Sequence, residues 1–105
     1  MNYSILVQQD YSEQFVKLSN SFDSIDECIE EVKIFTKEHY KDHVSDNFEY
    51  SIVKQDQHQI IDYVVNNSFF MMDLEQQNFI KSQQVVCVVE IKDFDESNMY
   101  LIIQN

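Results

Sequence analysis

Not one of the 105 residues is a glycine or a proline, and this absence constrains the fold more than any motif present. Glycine takes positive φ without steric cost and proline presets a turn dihedral. Every reversal of this chain must therefore be built from Asn, Asp and Ser. Loops that press backbone N–H groups against a phosphate need glycine where the chain approaches the ligand. P-loops, dinucleotide-binding turns, kinase glycine-rich loops and nucleophile elbows are excluded on that ground. No other motif specifies an enzyme, and no cofactor is expected.

The clearest periodic segment lies between Ser21 and Ser45. Ile25, Cys28, Ile29, Val32 and Phe35 recur at i, i+3, i+4, i+7 and i+10, one stripe on a 3.6-residue period; Tyr40 and Val44 follow. Ser24 with Glu27 three residues later fits a capping box, each side chain satisfying the other residue's free N–H. Acids Asp23, Asp26, Glu27, Glu30 and Glu31 come first, and Lys33, Lys37 and Lys41 come later. This order complements the helix dipole, and Glu30–Lys33 and Glu38–Lys41 add i,i+3 pairs. The expectation is one long amphipathic helix over about residues 23–45.

The rest reads mainly as strands. Tyr3–Val7 alternates, and after a short polar link Glu13–Ser19 forms the second arm of a hairpin. Asn47–Lys54 alternates through Phe48, Tyr50 and Ile52. Gln59–Val65 (QIIDYVV) is rich in β-branched residues and is read as a strand, hairpin-paired through Gln55–His58. A helix over 57–72 competes, because Ile60, Ile61, Val64 and Val65 also share a helical face. A short helix is admitted within 66–83. Gln84–Ile91 (QVVCVVEI) is nearly continuously apolar and β-branched, as expected of a strand buried on both faces. The acidic turn DFDESN then leads to a last strand, Met99–Ile103. The expected fold is one α+β domain over residues 1–105, an antiparallel sheet of about five to six strands packed on one long helix.

Composition limits the partners. The chain carries 19 acids, 7 lysines and no arginine, a formal charge of −12. It would repel nucleic acid and an anionic membrane surface and attract basic proteins. No apolar run is long enough to span a bilayer, and the first residues lack the basic segment of a signal peptide, so a cytoplasmic location is expected. Cys28 and Cys87 sit in apolar runs and read as small buried hydrophobes in a reducing compartment, where a bridge between them is disfavoured. Such burial also argues against either thiol acting as a nucleophile with His39, His43 or His58.

His39 and His43 lie four apart, a spacing that suits zinc. The residue after the first His is Tyr40, not the Glu of a zincin, and no third ligand follows at a fitting distance; a helix-end role explains them better. A small metal-binding or enzymatic protein using these two residues is the lesser alternative. The run Phe69-Phe70-Met71-Met72 reads as core rather than as a contact surface.

The remaining signal is acidic. Between Asp23 and Asp46 there are eight acids against three lysines, more than folding of one helix requires. The residues expected to face a partner are Asp23, Asp26, Glu27, Glu30, Glu31, Glu38 and Asp42, with Asp93, Asp95 and Glu96 in a second cluster beside Glu90. Carboxylates on a rigid scaffold can imitate a nucleic-acid backbone and steer the protein into a basic groove.

Glycine, proline and alanine, all absent, have codons that begin with two G/C bases, which points to an AT-rich gene. Small size, an acidic surface and the lack of a catalytic motif add to this. In overall character the chain resembles phage-encoded counter-defence proteins of the anti-CRISPR or anti-restriction class. Those proteins share no signature, so the resemblance assigns no residue a role. It implies a non-enzymatic inhibitor whose partner is a nucleic-acid-binding effector. An immunity protein or antitoxin neutralising a basic toxin is the alternative. A further reading is a structural or regulatory subunit, with a homodimer formed by pairing an edge strand such as Met99–Ile103.

Overall fold

A computed structural model describes residues 2–8, 15–39, 50–53, 56–67, 73–91 and 99–105. The element order is β1 (Tyr3–Gln8), β2 (Phe15–Lys17), α1 (Ile25–His39), β3 (Tyr50–Val53), α2 (Gln57–Asn67), α3 (Leu74–Ser82), β4 (Gln84–Ile91) and β5 (Met99–Gln104). The class is α+β. The strands form one sheet in the order β2-β1-β5-β4-β3, and every pairing is antiparallel.

Alternation along the strands divides the core in two. Ile5, Val7, Cys87, Val89, Ile91, Tyr100 and Ile102 face α1, where Cys28, Ile29 and Val32 meet them. Leu6, Val85, Val88, Met99, Leu101 and Ile103 face the other way, against Ile60, Ile61 and Val64 of α2 and Ile80 of α3. The sheet is thus covered on both faces. A single principal helix was expected, and the helices α2 and α3 on the opposite face correct that. They are needed because β4 and β5 are apolar on both sides, and an uncovered second face would leave Val88 and Leu101 in water.

A β-bulge interrupts β4. Val85 pairs with Ile103 and Cys87 with Ile102, so Val86 has no register partner. Val86 and Cys87 consequently turn towards the same face, and both pack on the α1 side.

Two further expectations are overturned. Residues 59–65 are helical, within α2, so they add no strand; the described residues form five strands, the lower end of the five to six expected, and β3 pairs with β4. In a strand, Ile60, Asp62 and Val64 would share one face and bury a carboxylate. The helix gathers Ile60, Ile61 and Val64 in the core and leaves Asp62 exposed, 3.7 Å from His58 one turn back. Asp56 starts this helix, its Oδ1 accepting from the Gln59 N–H at 3.1 Å. The last strand is the second correction. β5 lies in the middle of the sheet between β1 and β4, so Met99–Ile103 offers no edge for a homodimer.

The short helix admitted within 66–83 is present as α3, with Asp73 as N-cap accepting from the Gln76 N–H at 2.8 Å. The described part of the expected 23–45 helix is the 15-residue α1. Residues 40–45 lie outside the described residues, as do Phe69–Met72. No helix among the described residues is long and apolar enough to cross a membrane.

Candidate functional site

The acidic face is built on α1, and the helix starts where its caps allow. The Ser24 Oγ accepts from the Glu27 N–H at 3.2 Å. The Glu27 carboxylate reaches back to the Asp23 N–H at 3.0 Å. The reciprocal half of the capping box therefore falls one residue earlier than the Ser24 N–H expected from sequence. Just before the cap, Phe22 is fixed to β1 by two backbone bonds with Tyr3, each 2.8 Å. The approach to the helix is thus held by the sheet.

Burial sorts the helix into two sides. Cys28, Ile29, Val32 and Thr36 are buried. The Thr36 hydroxyl donates to the Val32 carbonyl at 2.8 Å and lies 3.1 Å from the Tyr100 hydroxyl. Phe35 meets the Tyr100 ring edge-on at 5.9 Å, so α1 is seated against β5 by aromatic packing as well as by its aliphatic stripe. Outward stand Asp26, Glu27, Glu30, Ile34, Lys37 and Glu38, all exposed, with Glu31 half-buried at the margin.

The carboxylates of this face differ in what already holds them. Glu27 is engaged by the cap. Glu30 pairs with Lys33 at 3.0 Å, and the Lys33 ammonium sits 4.7 Å over the Tyr50 ring. Hydrogen bonding to Tyr50 and then to Glu30 raises the Lys33 pKa above its ordinary value. Asp26, Glu31 and Glu38 form no ion pair among the described residues.

Of the residues expected at a partner surface, the structure brings together Asp26, Glu27, Glu30, Glu31 and Glu38 on one helix, with exposed Asp23 just before it. Asp42, Asp93, Asp95 and Glu96 lie outside the described residues. Glu90 is half-buried on the opposite face of the sheet. It accepts a 2.9 Å hydrogen bond from the Tyr63 hydroxyl of α2. Burial and this bond push the Tyr63 phenol up. Glu90 therefore does not extend the α1 surface.

Sequence reasoning missed the apolar part of the site. Ile34 is 48% exposed and sits one turn beyond Glu30 and Glu31, in the middle of the acids. With Phe22, Asp26, Glu27, Glu30 and Glu31 it lines an open groove of about 360 Å³. The signal was available: Ile34 is the one apolar residue between 25 and 35 that falls off the buried stripe.

The metal reading gains no geometry. His39 is the last residue of α1, but its side chain and all of His43 lie outside the described residues. No cluster of three or more His, Cys, Asp or Glu side chains suited to a metal occurs among the described residues. Cys28 and Cys87 are both buried free thiols in the α1-side core. Compared with protein-family models, curated proteins and solved structures, the chain matches none.

Proposed function

We propose that the outer face of α1 docks onto a basic, nucleic-acid-binding surface of another protein and blocks it. The protein would act as a non-enzymatic inhibitor of the anti-CRISPR or other anti-defence type. The observation that carries this reading is charge density. Asp26, Glu27, Glu30, Glu31 and Glu38 fall on the exposed side of one helix, over about 18 Å at 1.5 Å per residue. One strand of duplex DNA presents about five phosphates over that length. Lys33 and Lys37 interrupt the array, and only Lys33 is paired with one of its acids among the described residues.

The structure also decides which acids to reverse. Glu27 holds the helix cap, so its reversal would confound folding with binding. Asp26, Glu30 and Glu31 are the cleaner set. Replacing all three by lysine adds six charges, taking the formal −12 to −6. Each exposed contact is worth up to about 1 kcal/mol. Turning three attractions into repulsions should then weaken binding by about two to four orders of magnitude.

The test is capture from cells carrying CRISPR or restriction systems, with a basic toxin domain as a parallel bait. A basic nucleic-acid-binding protein should be retained by the wild type and lost with the triple variant. It should be displaced by duplex DNA or RNA and by salt. Retention that survives the triple reversal would sink the assignment to this face. Binding confined to the toxin domain would favour the immunity-protein reading instead.

A further inference from the structure

We infer that the α1 face receives an arginine side chain of its partner in the cleft at Glu31, the guanidinium on that carboxylate and the stem against Phe22. This rests on the docking reading above and names its anchor. Two depressions meet at this point. One, of about 200 Å³, is lined by Leu18, Ser19, Asn20, Phe22, Glu31 and Phe35. The other is the 360 Å³ groove with Ile34, whose exposed lining is mainly apolar. Phe22 and Glu31 belong to both.

Glu31 differs from its neighbours. It is half-buried where Asp26, Glu27, Glu30 and Glu38 are exposed, and its carboxylate has neither a hydrogen bond nor an ion pair among the described residues. A carboxylate set beside apolar side chains is screened less by water and salt than one on the open surface. Its best ligand combines a cation with apolar length. Arginine satisfies this better than lysine: its guanidinium is flat, weakly hydrated, able to bind a carboxylate through two N–H groups and to stack on an aromatic face. The surrounding exposed acids would then act as a steering rim around one desolvated anchor, the usual division of roles at a hot spot. Phe22 is held by its bonds to Tyr3, so this wall of the cleft is formed before the partner arrives.

The experiment uses the full chain and two capped pentapeptides of equal charge, Lys-Leu-Arg-Leu-Lys and Lys-Leu-Lys-Leu-Lys, followed by amide chemical shifts at low salt. The arginine peptide should bind about tenfold more tightly, with shifts centred on Phe22, Glu31 and Phe35. Glu31→Gln, nearly isosteric, should abolish that preference. Asp26→Asn should weaken both peptides alike by less than about threefold. Equal affinity for the two peptides, or a Glu31→Gln effect no larger than that of Asp26→Asn, would overturn the anchor while leaving the acidic face as a docking surface. Failure of both peptides to bind, or binding unchanged by the triple reversal at Asp26, Glu30 and Glu31, would overturn the docking reading with it.

Discussion

Cys28 gives a test of the α1–sheet interface that needs no partner. The thiol is fully buried. Burial first, then the nearby Glu27 carboxylate and Cys87, push its pKa up from 9.0 to about 11. At pH 8 a thiol at the ordinary value is about one-eleventh thiolate, and one at 11 about one part in a thousand. Alkylation of native Cys28 should therefore be at least about ninety-fold slower than in the urea-unfolded chain, before steric protection is added. Iodoacetamide labelling with mass-spectrometric readout at Cys28 measures this. The same shift has a stability consequence. The unfolded thiol ionises from about pH 9 while the folded one stays protonated to about 11. In that window the unfolded state binds fewer protons, so stability falls as pH rises, at up to about 1.4 kcal/mol per pH unit. Between pH 8 and 10 the wild type should lose about 1 kcal/mol more than Cys28→Ala, whose cavity cost does not titrate. Urea unfolding under reducing conditions reads the difference. Labelling of native Cys28 at the unfolded rate, or parallel pH profiles for the two proteins, would refute the burial argument and reopen the thiol as a reactive group.

Two further substitutions test the architecture. Ser24→Ala removes the acceptor for the Glu27 N–H; it should cost about 1 kcal/mol and lower Tm by about 4 °C in a calorimetric scan, while binding of a basic partner stays unchanged. Ile80 is the one buried residue of α3, so Ile80→Ala should cost about 2–5 kcal/mol and strip α3 of hydrogen-exchange protection; Leu74→Ser at a 69% exposed position should stay within about 0.5 kcal/mol, and equal effects from the two would mean that α3 is not docked through Ile80.

What could be read from the sequence, and what could not, follows from where burial is one-sided. The α1 stripe is buried on one side only, so its 3.6-residue period survives in the pattern. The β1–β2 and β4–β5 pairings were legible because short polar links join alternating or apolar runs. In residues 59–65 β-branched composition favours a strand while the spacing of Ile60, Ile61 and Val64 favours the helix that forms. The capping signature Asp56-x-x-Gln59 was present and marks the start of α2. The central place of β5 was legible in principle too. Met99 to Ile103 is apolar without a break, the same mark of two-sided burial that was read correctly in β4. The groove could not be read. Phe22 lies outside any periodic element, and only the fold brings it beside Ile34 and Glu31.

The structure changes what the acidity can mean, because it separates carboxylates that the fold uses from those it does not. Asp56 and Asp73 cap α2 and α3. Glu27 completes the α1 cap, Glu30 holds Lys33 and Glu90 holds Tyr63. Each of these has a contact within the fold, whatever else it meets. On α1, Asp26, Glu31 and Glu38 have no such role among the described residues, and they share one helix face with an exposed Ile34 at its middle. A single exposed apolar side chain is ordinary on a protein surface, as at Leu74 and Phe79; Ile34 counts here because it lines a groove together with Phe22 and Glu31. The basic partner proposed above would supply cations for the carboxylates and aliphatic stems for Ile34 and Phe22. Net charge by itself would favour any cation equally. On the proposed docking reading, the apolar centre would make this face selective for a cationic side chain over a simple ion.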